Sequence, residues 1–129
     1  MSFVKCSVDG CNRKLQPILK VDPRDRDTWL YRECDLLVAA SHEDFGLTPL
    51  EAATFRKPSV VLRWGGFVDT VRDGETGLFF EAPTAQGVAA ALRAARTQQW
   101  RPDTIRAHAD RFSERRFIER VRAIAGVTD

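Results

Sequence analysis

The sequence predicts an α/β domain: a partial Rossmann-like parallel sheet with flanking helices. Three observations carry this. Residues 36–40 (Leu-Leu-Val-Ala-Ala), 58–62 and 78–80 are short apolar runs. The first shows no alternation of polar and apolar positions, the pattern of a strand buried on both faces. Helix signals lie between and after these runs, so the order is strand, helix, strand, helix, strand and then helices. Three clear strands fall below the usual 5–6 of a sheet, so the sheet reads as cut short.

The elements follow in order. Residues 1–28 form an irregular, out-of-pattern segment, with a charge cluster Asp22-Pro-Arg-Asp-Arg-Asp27. Phe3, Val4, Ile18, Leu19 and Val21 offer material for short strands there, without clean periodicity. Asp27 or Thr28 is placed to cap a short helix through Glu33. Strand one covers residues 35–40. Thr48-Pro49-Leu50-Glu51 reads as a capping box with proline at the first helical position, opening a helix to about Phe55. Strand two follows at 58–62, then a Gly65-Gly66 loop and a short helix or turn over 67–72. Asp73-Gly74 and Thr76-Gly77 mark a turn before strand three at 78–80. Thr84 caps a helix whose Val88, Ala91, Leu92 and Ala95 share one face. Pro102 opens another, ending near Arg111. Ser113 caps a last one, with Phe117, Val121 and Ile124 at helical spacing.

Composition sets limits. The 129 residues fit one domain, with 43% hydrophobic and 29% charged residues, ordinary for a globular chain. No apolar run approaches the ~18 residues of a membrane span. The first 20 residues hold no secretory core, so the expected location is cytoplasmic. Net charge is only +2, but nine arginines fall between Arg93 and Arg122. They read as a solvated helix face or as a contact with an anionic surface, which would make the protein peripheral at the inner membrane face. No aromatic interleaving or recognition motif supports nucleic acid. Cys6, Cys11 and Cys34 cannot all pair with one another. With only His42 and His108 beside them, no metal site is expected. Neither histidine has a catalytic setting. His108 falls on an expected surface helix and His42 lines a loop.

The chemistry concentrates after the first strand, in Ser41-His-Glu-Asp-Phe-Gly-Leu-Thr-Pro-Leu-Glu-Ala52. Ligands of α/β folds bind at strand C-termini, and a helix N-terminus there suits a phosphate. Glu43 can accept hydrogen bonds from sugar hydroxyls or be a solvated loop acid. Gly46 allows a close backbone approach, and the N–H groups of Leu47, Thr48 and Leu50 can face a pyrophosphate. Otherwise Phe45-Gly46-Leu47 is an ordinary turn before a capped helix. Glu51 either closes the capping box on the Thr48 N–H or holds ribose hydroxyls. The Gly65 and Gly66 N–H groups, again past a strand end, can face a sugar or phosphate. No nucleophile elbow, Walker loop, dinucleotide fingerprint or metal-binding histidine pair is present.

Together these motifs resemble the family 4 retaining glycosyltransferases, which have the two-domain GT-B fold. The matching residues are Glu43-Asp-Phe-Gly-Leu-Thr-Pro-Leu-Glu51, Gly65-Gly-Phe-Val-Asp69 and Asp73-Gly-Glu-Thr-Gly77. Asp69 stands where glutamate is commoner. The tail from Ile105 to Ile124, with Arg111-Phe-Ser-Glu-Arg-Arg-Phe117, looks like members that use GDP-mannose. The resemblance covers about residues 29–126 and implies the C-terminal, donor-binding portion of such an enzyme. It implies that Glu43 contacts the donor sugar, that the backbone of Phe45, Gly46, Leu47 and Thr48 meets the diphosphate, and that Glu51 holds the ribose. Gly65 and Gly66 complete the substrate-binding set, and no catalytic side chain is assigned. It further implies hexosyl transfer, specifically mannosyl, from a nucleotide diphosphate sugar with retention and without a bound metal or cofactor. The leaving phosphate would take the acceptor proton.

The departures carry their own expectations. The family's acceptor domain has no counterpart here. Nor have the opening strands that carry its diphosphate-binding Arg and Lys, although Arg13, Lys14 and Lys20 occur. Arg56 replaces a helix-ending glycine, and Ser59 a typical core valine. The expected protein is therefore a truncated donor half, inactive alone. The alternatives are a subunit completed by a partner polypeptide, or a non-catalytic sugar-nucleotide-binding or interaction module.

Overall fold

The computed structural model describes residues 2–4 and 23–127. Three strands of the sheet are parallel: β2 (Leu36–Ala39), β3 (Ser59–Leu62) and β4 (Gly77–Phe80). Leu37 pairs with Ser59 and Val60 with Leu78. At one edge β1 (Ser2–Val4) runs antiparallel to β2, giving the order β1-β2-β3-β4. Cys6, Cys11, Arg13, Lys14 and Lys20 lie outside the described residues.

The helices are α1 (Pro23–Glu33), α2 (Leu47–Thr54), α3 (Gly66–Thr70), α4 (Ala85–Thr97), α5 (Pro102–Asp110) and α6 (Glu114–Ala125). Helix α1 begins at Pro23, ahead of the expected caps Asp27 and Thr28. Proline at a first helical position lacks only an N–H that the helix would leave unbonded.

Successive strand residues point to opposite faces, and both faces are covered. On one, Val60, Leu62 and Phe80 pack with Ala91 and Ala95 of α4. On the other, Ala39 and Val61 pack with Phe67 and Val71 around α3, and Leu37 packs with Tyr31 and Ala52. Ala53 of α2 meets Ile105 and Ala109 of α5. The α4 stripe read from the sequence is thus core, and Thr84 caps that helix by accepting from the Gly87 N–H at 3.1 Å. Ser113 occupies the N-cap of α6 without a side-chain cap bond. Helix α6 buries none of its residues, and its apolar stripe (Phe117, Ile118, Val121, Ile124) is exposed. All nine arginines from 93 to 122 are exposed.

Arg56, just past α2, has φ 62°. This is the left-handed region, which costs a residue with a Cβ about 1 kcal/mol relative to glycine. Its exposed ion pair with Asp103, at 3.4 Å, returns little of that. Arg56→Gly is therefore expected to stabilise the fold by about 0.5–1 kcal/mol. The check is the urea midpoint, and an unchanged or lower midpoint would contradict the strain.

Candidate functional site

The site is built where two loops leave the C-terminal ends of adjacent parallel strands. Residues 40–46 follow β2, and residues 63–65 follow β3. The loops are joined backbone to backbone. Gly66 donates its N–H to the carbonyl of Glu43 at 2.8 Å. A Cβ on Gly66 would lie 2.2 Å from the carbonyl carbon of Phe45. A Cβ on Gly46 would lie 2.5 Å from that of Gly66. No side chain fits between them, so glycine is required on both loops.

Gly46 sits at φ 65°, ψ 40°, and is the N-cap of α2. This corrects the expected capping box. The helix starts at Leu47, Pro49 is its third residue, and no side chain caps it. Suturing Gly46 to the Gly-Gly loop turns the chain early, before Thr48 can cap. Glu51 instead accepts a hydrogen bond on Oε2 from the Tyr31 hydroxyl at 2.5 Å. Tyr31 is buried and stacks on Phe55 at 5.7 Å. Glu51 thus stands exposed on α2, anchored from α1.

The N–H groups of Leu47 and Thr48 open α2 and have no intrahelical acceptor. Phe45 and Leu47 are exposed and Glu43 is half-buried. Glu43, Phe45, Gly46, Leu47 and Thr48 are thus gathered on one loop and helix start, with Glu51 one turn on. The Gly65-Gly66 turn lies against them. The expectation that the Gly66 N–H faces a ligand is corrected, because the Glu43 carbonyl takes it. Beside the loops, His42 meets Trp64 edge-on at 4.8 Å, and both are exposed.

Behind the loops sits a polar chain that the sequence reading missed. Thr70, buried at the end of α3, donates its hydroxyl toward Gly46 O at 2.8 Å and Gly66 O at 3.0 Å. His108 of α5 lies 2.8 Å by Nε2 from Thr70 O. A carbonyl only accepts, so Nε2 carries the proton. His108 is 6% exposed, which corrects the surface position expected for it. Burial first, then Arg72 and Arg111, push its pKa below the ordinary value against the opposing pull of the Thr70 carbonyl and Glu75. The ring is accordingly held neutral, with Nδ1 buried and unpartnered. Cys34 is a buried free thiol whose pKa burial pushes up. Among the described residues no group of three or more His, Cys, Asp or Glu could hold a metal ion. No helix among them is long and apolar enough to cross a membrane.

A helix N-terminus sewn to a Gly-Gly loop at parallel strand ends is an anion-binding arrangement. The sequence over residues 11–115 matches the family described as glycosyl transferases group 1. The chain belongs to that family. Its relatives include a D-inositol 3-phosphate glycosyltransferase of Acidothermus cellulolyticus, 36% identical over 94 residues, covering 70% of this chain and 21% of the relative. Another of that name, from Rhodococcus jostii, is 34% identical over 91 residues, covering 70% of this chain and 20% of the relative. An alpha-1,3/1,6-mannosyltransferase of Dictyostelium discoideum is 32% identical over 68 residues, covering 53% of this chain and 16% of the relative. The chain thus spans about a fifth of the length of the first curated relatives it matches. As a group 1 family member with a parallel sheet flanked by helices, it has the partial Rossmann-like α/β fold that the sequence predicts.

Proposed function

We propose that this chain is the donor-binding part of a retaining glycosyltransferase whose donor is GDP-mannose. The observation that carries the reading is the start of α2. Its open N–H groups at Leu47 and Thr48 follow a left-handed Gly46 locked against Gly66. The helix dipole and these N–H groups receive the diphosphate. Glu43 accepts hydrogen bonds from the donor sugar, and Glu51, oriented by Tyr31, from the ribose. In the transfer the bond between the anomeric carbon and the diphosphate oxygen breaks. A bond to the acceptor oxygen forms on the same face, and the departing phosphate takes the acceptor proton. Stabilisation of the leaving charge by fixed dipoles is the protein's contribution. The family relationship and the mannosyltransferase relative support the reading.

Transfer also requires an acceptor held against the donor. This reading leaves that task to an acceptor-binding unit outside residues 1–129, in the same or another polypeptide. A nitrogen–proton correlation spectrum titrated with GDP-mannose tests the donor half. Shifts are expected over residues 43–51, with affinity about tenfold weaker in Glu43→Ala. A dispersed spectrum unmoved at millimolar ligand would sink the reading. Mannosyl transfer by residues 1–129 alone, abolished in Glu43→Ala, would sink the claim that the acceptor is held elsewhere.

A further inference from the structure

We propose that Thr70 is a positioning residue that aims the Leu47 N–H at the donor diphosphate. The inference rests on the donor-site reading above and adds a residue to it. Thr70 falls outside the loop and helix start assigned to the donor, in the interval between the Gly-Gly loop and the Asp73-Gly74 turn.

The geometry is specific. A hydroxyl has one proton, and here two carbonyls lie within its reach. One is Gly66 O at 3.0 Å, one turn back in α3, a back-bond open to any helical threonine. The other is Gly46 O at 2.8 Å, 24 residues away on the other loop. A threonine serving only its own helix has no need of the second. In a trans peptide the C=O and the following N–H point in opposite directions, and among the described residues there are no cis bonds. Drawing Gly46 O onto Thr70 therefore turns the Leu47 N–H away from α3. That N–H is one of the two that open α2.

Thr70 is itself held from behind. His108 donates to its carbonyl, so α5 fixes the end of α3, and α3 fixes the peptide plane at the start of α2. Thr70 is 5% exposed and His108 6%, so water does not compete for these bonds. At the N-cap, the Gly46 carbonyl also accepts the first intrahelical bond of α2. Without the Thr70 hydroxyl it loses its tether to α3, and the plane that carries the Leu47 N–H is held by that helix bond alone.

The test compares Thr70→Val and Thr70→Ala, which lack the hydroxyl, with Thr70→Ser, which keeps it. Each is titrated with GDP-mannose by amide shifts at a temperature where its spectrum remains dispersed. Ile105→Val serves as a control, destabilising the α2–α5 contact without touching the loops. The expected result is about tenfold weaker binding in Val and Ala variants, with Ser and the control within about twofold of wild type. Two hydroxyl-less variants guard against one failing to fold. Binding within twofold of wild type in whichever of them folds would overturn the proposal while leaving the donor site standing. Weakening in Ile105→Val equal to that in Thr70→Ala would overturn it as well, by reducing the effect to stability. A dispersed wild-type spectrum that does not respond to GDP-mannose would remove the donor-site reading, and this inference with it.

Discussion

Gly46→Ala is expected to lower stability by about 3–5 kcal/mol and to abolish the response to GDP-mannose proposed for residues 43–51. Three costs add. The left-handed conformation of residue 46 costs a Cβ-bearing residue about 1–2 kcal/mol. The new Cβ lies 2.5 Å from Gly66 C and 2.7 Å from both Gly66 O and Phe67 N. All three are backbone atoms, so no side chain can swing aside and the loops must part. Parting them breaks the Gly66–Glu43 and Thr70–Gly46 hydrogen bonds, worth about 1 kcal/mol each. Gly74→Ala separates these terms. Gly74 also has positive φ, at 77°, but nothing lies within 4 Å of its Cβ position. It should lose only the conformational part, about 1–2 kcal/mol. Urea unfolding of both variants reads the difference. Equal losses would mean that the two loops are not in backbone contact.

Much of this architecture was legible in the residues, because it rests on local rules. An unbroken apolar run marks β2 and Val60-Val61-Leu62 marks β3, Thr84 caps α4, Pro102 opens α5, and the spacing of Val88, Ala91 and Ala95 gives the buried face of α4. Arg56 is a different case: the family resemblance, not a local rule, sets it at a helix-ending glycine position, and it has φ 62°. The misreadings share one cause, contacts between residues distant in the chain. Glu51 finds Tyr31 across 20 positions instead of the N–H at its own helix start. Thr70 reaches Gly46 across 24 and His108 reaches Thr70 across 38. Propensity and capping patterns see only neighbours, so a buried histidine with one carbonyl partner looks like any polar residue on an amphipathic helix. Ser59 is the residue that neither view explains. It is buried in β3 with its hydroxyl unpartnered, and nothing in the structure accounts for it. Helix α6 shows the converse limit. Its apolar stripe is as regular as that of α4, yet it is exposed, because periodicity says that a face wants cover and not what covers it.

Phe67→Ala should cost about 3–5 kcal/mol, while Phe45→Ala should change stability by no more than about 0.5 kcal/mol. Both phenylalanines adjoin a glycine of the site, and nothing in the local sequence separates them. Burial does. Phe67 is fully buried against Ala39, Val61 and Val71, at the root of α3. Phe45 is 79% exposed at the tip of its loop. Removing the Phe67 ring leaves a cavity under α3, between Ala39, Val61 and Val71. A small domain has about 5–15 kcal/mol in total, so this one change takes a large share. The two variants also divide the site's function. With α3 loosened, Thr70 loses its register with Gly46, so Phe67→Ala should bind GDP-mannose weakly even where it remains folded. Phe45→Ala should keep the fold and the Leu47 N–H, so any affinity it loses measures direct contact between the exposed ring and the donor. Thermal unfolding beside the same amide titration distinguishes these effects. A Phe67→Ala loss below about 1 kcal/mol would mean that α3 does not rest on β2 and β3. The floor beneath the Gly-Gly loop, on which the proposed donor site depends, would then be wrong.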